Sequence, residues 1–244
     1  MTTFSLVLPC YNEGDNISDL LLSIEKLKKS KNNLEILLVE NGSTDKSLEK
    51  IKKHPVYKNN HIKLVEIKKN LGYGHGIMAG VYKSSGDFIG WCHADLQNNL
   101  DEVYNAFENN LNKLSKKNMI LKGKRLNRNI IDVFFTSSMA LIASFLFNQK
   151  LNDINAQPKI FPREFLESLK NPPDDFSLDL YLLLIAKKMN YEICEHPLIV
   201  YKRIAGKAKG GGSFYTKIKL TLRTISYIYN LKKNRKFQNG NNCS

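Results

Sequence analysis

The sequence predicts an α/β protein with a mostly parallel central sheet, and three strand, loop and helix units near the N-terminus support this prediction. Short apolar runs end in loops rich in Asn, Asp and Gly, and an apolar-periodic segment follows each loop. This alternation is typical of a doubly wound sheet. Ligands of such sheets bind outside the carboxyl ends of the strands, so the loops there should hold the functional residues.

The three units follow one another over the first part of the chain. Residues 4–8 form a strand stopped by Pro9, and residues 17–27 form the helix behind it. Residues 34–39 form the second strand, which runs into the loop 40–45 and a Lys-rich helix. Residues 62–67 form the third strand, and the glycine run 72–76 opens its helix. Such a run is as typical of a tight turn needed for packing as of a loop that approaches phosphate.

A fourth loop, residues 90–97, is the most informative stretch of the chain. Asp95 follows an apolar strand, and the side-chain amide of Gln97 comes two residues later. Carboxylate and amide oxygens in this arrangement can hold a divalent cation against phosphate oxygens. An isolated Asp at such a place is more often a helix cap. The functional prediction therefore depends on the order of all four loops.

Four segments, in this order, resemble the family-2 glycosyltransferases of GT-A fold. They are VLPCYNE at 7–13, VENGSTD at 39–45, GYG at 72–74 and HADLQ at 93–97. Within that family the chain is most similar to the branch with dolichyl-phosphate mannosyltransferases and bacterial polyprenyl-phosphate or surface-polysaccharide enzymes. The resemblance spans about residues 4–206 and is most specific in the first hundred. It implies a Rossmann-like sheet flanked by helices and an inverting, metal-dependent sugar transfer from a nucleotide-diphosphate sugar.

The resemblance also implies roles for the matching residues. Asn41 and Ser43 would lie near the base and ribose, and Asp95 with Gln97 would bind Mg²⁺ or Mn²⁺ at the diphosphate. The glycines of the third loop would let the backbone approach the donor. The residues implied to contact the nucleotide sugar are Pro9, Tyr11, Asn12, Glu13, Asn41, Ser43, Gly74, Gly76, His93, Ala94, Asp95 and Gln97.

Two positions depart from the family pattern. Glu40-Asn41 stands where the family usually has two acidic residues, and His93 stands where it has the first Asp of Asp-x-Asp. His93 could bind Mn²⁺ through nitrogen or donate a hydrogen bond to the donor sugar nucleotide. The second role is favoured, because imidazole suits Mg²⁺ poorly.

The acceptor site is predicted in the middle and later parts of the chain. Residues 119–125 form a strand ending in Lys124 and Arg125, which matches the family's Gly-x-Arg position, and Arg203 is assigned to the acceptor as well. Residues 156–159 differ from the Ser-Gly-Phe-Arg that lipid-phosphate enzymes usually carry there, and the predicted helix 131–147 lacks an arginine of the mannosyltransferase branch. Despite these departures, the branch that the chain resembles makes a polyprenyl phosphate the first acceptor predicted, and a hydroxyl of a growing surface saccharide is the second.

Asp175 and Asp179 open a leucine-rich helix and are the candidate catalytic carboxylates, together with Arg125. Aspartates at such a place also stabilise the helix N-terminus, which is the structural alternative. A hydroxyl acceptor needs a carboxylate to remove its proton. A phosphate acceptor is already anionic and needs no base, so the role of both aspartates depends on the acceptor.

Two other classes of protein share part of this sequence pattern. A nucleotide-binding protein that has lost catalysis stays open because of the altered Glu40-Asn41 and His93, whereas a nucleotidyltransferase would need a Gly- and Arg/Lys-rich first loop. Four scattered cysteines indicate reduced thiols in a cytoplasmic protein. We expect no signal peptide, and the apolar stretches 139–147 and 178–186 are expected to be too short to cross a bilayer.

The net charge is strongly positive, with 37 Lys and Arg against 23 Asp and Glu, a formal +14. Residues 202–236 contain no acidic residue and alternate basic with aromatic and aliphatic side chains. This pattern predicts a GT-A domain over 1–206, a basic amphipathic helix over 207–236 and a disordered tail over 237–244. The helix should lie on an anionic membrane surface, on its cytoplasmic face. Alternatively, it packs on the domain with solvated lysines; nucleic acid is not expected, because no motif for it is present.

Overall fold

A computed structural model of the chain describes residues 2–116, 118–201, Leu222 and 225–227. The described part contains a seven-stranded sheet in the order β3-β2-β1-β4-β6-β5-β7. The strands are β1 (Phe4–Cys10), β2 (Leu34–Asn41), β3 (Lys63–Ile67), β4 (Phe88–Trp91), β5 (Met119–Leu126), β6 (Lys159–Pro162) and β7 (Glu192–Ile199).

Helices connect these strands as the apolar periodicity predicts. The helices are α1 (Ile17–Ser30), α2 (Ser47–Lys53), α3 (Pro55–Lys58), α4 (Tyr73–Lys83), α5 (Leu100–Lys116), α6 (Ile130–Phe147) and α7 (Leu178–Lys188), with a 3-10 helix at Arg163–Ser168. The three N-terminal units are confirmed, with boundaries shifted by a few residues. As predicted, the glycine run opens α4, with Gly72 at the N-cap and Gly74 and Gly76 in the first turn.

The four predicted loops meet at one edge of the sheet. β1 pairs in parallel with β2 and β4, and β2 pairs in parallel with β3. Leu6, Leu8 and Leu38 are fully buried and belong to the same core cluster as Ile17 and Leu21 of α1. The strands read as continuous apolar runs because a parallel sheet of this kind is covered on its faces by helices.

β6 lies between β4 and β5 and runs in the direction opposite to both. Its pairing is antiparallel to both neighbours, and Lys159 lies opposite Trp91 of β4 and Lys122 of β5. An antiparallel strand begins where its neighbours end. The residues just before β6 therefore lie at the same edge as the loop after β4, and Arg125 near the end of β5 lies there too.

The chain divides into two units, residues 1–127 with 156–206 and residues 128–155 with 207–244. The first unit contains the whole sheet. In the second, Arg128 forms an ion pair with Asp153 at 3.4 Å, and the N–H of Leu151 donates to Ser144 Oγ after α6. The predicted segments 207–236 and 237–244 lie outside the described residues, apart from Leu222 and 225–227, and Arg203 lies outside them as well.

The expectation that the stretch 139–147 is too short to cross a bilayer is corrected by the structure. This stretch is the second half of α6, a continuous helix of 18 residues that, among the described helices, is long and apolar enough to cross a membrane by length and composition. Thr136 and Ser138 lie in the first half of the helix. Their hydroxyls donate to the carbonyl oxygens of Asp132 and Phe134, both at 2.8 Å.

Candidate active site

Hydrogen bonds join the loops after β1 and β2 into one rigid surface. Asn12 lies in the left-handed region with φ 51°, and its N–H donates to Ser43 Oγ at 2.9 Å. The N–H of Thr44 donates back to Asn12 Oδ1 at 2.7 Å, and the N–H of Glu13 donates to Ser47 Oγ at 3.0 Å. The predicted nucleotide residues of the two loops are thus held together by the protein itself.

The Glu40-Asn41 pair links the second loop to the glycine run. Glu40 is buried and its carboxylate accepts from the N–H of Ser43 at 2.7 Å, which closes the loop. Asn41 Nδ2 donates to Gly72 O at 3.0 Å, and a Cβ on Gly76 would lie 2.6 Å from that nitrogen. Asn41 Oδ1 is buried without a hydrogen-bond partner. Such an acceptor costs about 1–3 kcal/mol until a donor reaches it.

Close packing against a neighbouring segment explains why glycines are needed in the run 72–76. Gly72 has φ 138°, and a Cβ there would lie 2.2 Å from Asp174 O. A Cβ on Gly74 would lie 2.1 Å from Pro173 O, and the N–H of His75 donates to Asp174 O at 3.1 Å. The segment before α7 therefore lies directly against the start of α4. Of the two meanings of the run, close packing is the one these distances support, and donor contact by Gly74 and Gly76 stays a prediction.

The loop after β4 presents Asp95 as its carboxylate. Leu96 is in the left-handed region with φ 61°, and the N–H of Gln97 donates to Asp95 Oδ1 at 3.2 Å. Gln97 Nε2 donates to Tyr201 O at 3.3 Å. Ala94, before the aspartate, is buried. Residues 2–116, 118–201 and the few described beyond them contain no cluster of three or more His, Cys, Asp or Glu side chains that could hold a metal.

These residues fit a cation that shares its coordination with a substrate. Asp95 and the amide oxygen of Gln97 are oxygen donors of the type that Mg²⁺ and Mn²⁺ accept. A site with one carboxylate needs its other oxygens from phosphate and water, which is the usual arrangement for Mg²⁺ at nucleotides.

A buried polar network surrounds the carboxylate of Asp179, whose side chain is 2% exposed. Its Oδ1 accepts from Trp91 Nε1 at 3.2 Å and from Gln157 Nε2 at 3.0 Å. The ammonium of Lys159, which is fully buried, lies 3.4 Å from the same oxygen. The hydroxyl of Tyr73 donates to Oδ2 at 3.3 Å. The oxygens of this buried carboxylate are thus satisfied by hydrogen bonds and by one nearby cation.

Tyr73 connects this network with the other loops. Its ring stacks on Phe176 with centroids 4.6 Å apart and contacts the ring of His93 at 5.4 Å. Gln157 Nε2 donates to its hydroxyl at 2.8 Å. Burial, and then the adjacent charge of Asp179, hold the pKa of Tyr73 well above its usual value. The phenol therefore stays neutral and holds its place between the loops.

The remaining predicted residues lie at the same edge, with different surroundings. Pro9 and Tyr11 are half-buried at and just after the end of β1. Asp175 Oδ1 accepts from the N–H of Ser177 at 2.9 Å, immediately before α7 begins. Asp175 thus closes a turn just before α7, close to the role at the helix N-terminus that was the alternative for it. The hydrogen bonds described for Asp179 are instead those of the buried network.

The basic pair at the end of β5 is accessible. The Lys124 side chain is 60% exposed and its ammonium lies 3.8 Å from Glu195. Arg125 is half-buried next to it. Two cations at the edge where the loops meet favour an anionic ligand.

Sequence reasoning did not assign Tyr73, Trp91, Gln157 and Lys159 to the network around Asp179. The one signal for them was the departure at 156–159, where the polar residues Gln157 and Lys159 flank Pro158 directly before and at the first residue of β6. The partners come from β4, α4, β6 and α7. Only the tertiary fold brings side chains from four such distant segments together.

Comparison with known proteins identifies the family of the chain. Residues 5–143 match Glycosyl transferase family 2, and the chain belongs to this family. The chain is 33% identical over 100 residues to undecaprenyl-phosphate 4-deoxy-4-formamido-L-arabinose transferase of Proteus mirabilis (strain HI4320), covering 41% of this chain and 31% of that protein. The protein of the same name from Salmonella choleraesuis (strain SC-B67) is 37% identical over 103 residues, with the same coverage. The match thus spans about a third of the length of these relatives.

Solved structures share the fold at lower sequence identity. Glucosyl-3-phosphoglycerate synthase from Mycobacterium tuberculosis, in complex with Mn²⁺, UDP and glucosyl-3-phosphoglycerate, superposes with TM-score 0.71 and 17% identity over 94% of this chain and 79% of that one. The same enzyme with Mg²⁺ and UDP gives TM-score 0.69 and 16% identity over 94% and 79%. The predicted GT-A fold with a mostly parallel sheet is confirmed. The basic C-terminal helix included in that prediction lies outside the described residues.

Proposed function

We propose that this chain transfers a sugar, with inversion, from a nucleotide-diphosphate sugar to a polyprenyl phosphate. Membership of Glycosyl transferase family 2 supports the reaction type. The matched relatives are named for undecaprenyl phosphate, which supports the acceptor class. The M. tuberculosis enzyme of the same fold, solved with UDP and Mn²⁺, supports a nucleotide donor and a divalent cation.

The observation that carries this proposal is that both candidate bases, Asp179 and Asp175, already accept hydrogen bonds from the protein. Asp179 is buried among Trp91, Gln157, Tyr73 and Lys159, and Asp175 accepts the N–H of Ser177. A hydroxyl acceptor would need one of these carboxylates to take up its proton. A phosphate monoester already carries negative charge. The engagement of both carboxylates therefore favours a phosphate acceptor over a saccharide hydroxyl.

On the donor side, the joined first and second loops orient the nucleotide, and Asp95 with Gln97 hold the cation. Bound Mg²⁺ or Mn²⁺ supplies neutralising charge for the leaving diphosphate. The ring of His93 lies 5.4 Å from the ring of Tyr73. In this proposal its imidazole donates a hydrogen bond to the donor and does not bind the cation, because imidazole suits Mg²⁺ poorly.

On the acceptor side, Lys124 and Arg125 receive the anionic phosphate at the end of β5. A phosphate oxygen attacks the anomeric carbon from the face opposite the leaving diphosphate. The new carbon–oxygen bond forms as the bond to the diphosphate breaks, so the configuration inverts. Preorganised positive charge at both phosphates lowers the barrier of this step.

A lipid acceptor requires the enzyme to work at a membrane. The formal charge of +14 and the acid-free run 202–236 favour an anionic surface as partner. We infer that the chain acts peripherally at the cytoplasmic face, where nucleotide sugars are made. Removal of residues 214–244 should weaken vesicle binding in low salt more than in high salt.

A matched pair of acceptors tests the proposal. The purified full chain is incubated with a panel of nucleotide sugars and Mg²⁺ or Mn²⁺, and with either undecaprenyl phosphate or undecaprenol. Lipid-linked sugar should form with the phosphate alone, and Asp95→Asn should abolish it. Transfer to undecaprenol or only to saccharides would contradict the acceptor class. Nucleotide binding without any turnover would indicate a binding protein instead.

A further inference from the structure

Helix α6 exposes a stripe of large apolar side chains. Ile130, Phe134, Leu141 and Phe145 are 85%, 67%, 71% and 84% exposed. Their spacings of four, seven and four residues place all four on one side of a helix with 3.6 residues per turn. We call these four residues the α6 stripe.

The opposite side of the same helix is buried. Met139, Ala140 and Ala143 lie about half a turn away from the stripe and are almost inaccessible. The helix thus has one buried side and one exposed apolar side. A contiguous apolar surface on a soluble domain marks an interaction site.

Three hydroxyl side chains of α6 donate to carbonyl oxygens of the same helix. The hydroxyls of Thr136 and Ser138 donate to carbonyl oxygens one turn back, and Ser144 Oγ donates to Ala140 O at 2.6 Å. Hydroxyls bonded in this way need no water. The helix can therefore enter an apolar medium without leaving these three hydroxyl donors unsatisfied.

We propose that the α6 stripe is the surface by which this chain enters the headgroup and upper acyl region of a lipid bilayer, with the helix lying along the membrane. The buried side opposite the stripe argues against a spanning orientation, in which lipid would surround the helix. Phe134 and Phe145 are residues of the kind that face the acyl chains in interfacial helices.

Charge selects lipid over a protein partner or a second copy. Exposed Lys150 follows α6 directly, and a chain with formal charge +14 repels its own copies but is attracted to anionic headgroups. The inference rests on the proposed function, since a polyprenyl phosphate is presented only by a membrane.

The first test removes the aromatic part of the stripe. Phe134→Ser with Phe145→Ser in the full chain is compared with wild type by co-sedimentation with phosphatidylcholine vesicles in high salt, where charge is screened. We expect binding to fall at least about tenfold, because two buried aromatic rings are lost from the lipid. The matched control, Leu22→Ser with Tyr82→Ser, changes two residues of α1 and α4 that are 55% and 59% exposed. It should leave binding unchanged.

The second test does not depend on the double variant folding. Phe145→Trp adds an indole to the stripe, whereas the single native tryptophan, Trp91, is fully buried. Vesicles with brominated acyl chains should quench the added emission, and Leu22→Trp should not be quenched. Absence of quenching for Phe145→Trp would overturn the proposal.

A third measurement distinguishes lipid binding from association between copies of the chain. It also distinguishes failure of this proposal from failure of the proposed function. If the serine variant turned an oligomer into monomers in analytical ultracentrifugation and vesicle binding stayed unchanged, the stripe would be an interface between copies. Transfer to detergent-dispersed undecaprenyl phosphate should persist in the serine variant. If wild type also lacks that transfer while quenching is seen, the proposed function fails and the membrane surface stands.

Discussion

Replacement of Asp179 by asparagine tests whether its carboxylate is a structural anion or a catalytic base. The carboxylate and the Lys159 ammonium are buried 3.4 Å apart. Removing one member of a buried pair leaves the other uncompensated, which costs about 3–5 kcal/mol. At about 2–4 °C per kcal/mol for a protein of this size, the melting temperature should fall by about 6–20 °C.

The pair can be measured with a double-mutant cycle in urea. Asp179→Asn and Lys159→Met should each lower the free energy of unfolding by about 3–5 kcal/mol. The double variant should lose less than the sum, by about 2 kcal/mol or more, because neither charge is left alone. Additive losses would mean that the two side chains are not coupled.

The turnover rates of the same variants distinguish a structural carboxylate from a general base. With undecaprenyl phosphate as acceptor, Asp179→Asn should keep turnover per folded molecule within about tenfold of wild type, since loss of a general base costs about a hundredfold or more. Asp175→Asn should behave likewise. A variant of Asp179 with wild-type stability and collapsed turnover would refute the reasoning and make a hydroxyl the better acceptor.

Three further predictions concern other residues. Asp95→Ala should abolish metal-dependent binding of a nucleotide diphosphate in calorimetric titration with Mn²⁺, because the carboxylate of that loop is lost; unchanged affinity would mean the loop is misassigned. Arg125→Ala should raise KM for the acceptor more than for the donor, since a charge-assisted contact is worth about 1.5–3 kcal/mol; the reverse order would move Arg125 to the diphosphate. Burial raises the pKa of Glu35, but hydrogen bonds from Ser5 and Ser85 outweigh it and lower that pKa below its usual 4.5. The unfolded chain then binds this proton more tightly, so stability present above pH 4.5 is lost as the pH falls through the lowered folded pKa. Urea unfolding between about pH 3 and 7 should show a shallower acid slope for Glu35→Gln, and equal slopes would contradict this.

The first four strands and their loops could be predicted because their signals are local. Apolar runs such as 34–39 end at loop residues, and the parallel order then brings the loop residues Asn12, Asn41 and Asp95 to one edge. The family motifs are also contiguous, so the residues of the donor side were named from sequence.

The buried network could not be predicted in the same way. Tyr73 and Asp179 are 106 residues apart, and the short antiparallel strand β6 that carries Lys159 has no periodic signal of its own.

The chemical linkage of the product tests the central claim most directly. Lipid-linked product from undecaprenyl phosphate is isolated and examined by mass spectrometry and by phosphorus and proton NMR. We predict one phosphate per lipid, present as a diester to the anomeric carbon, with the configuration inverted relative to the donor. Two phosphates per lipid, a sugar bound through a saccharide hydroxyl, or retained configuration would contradict the account.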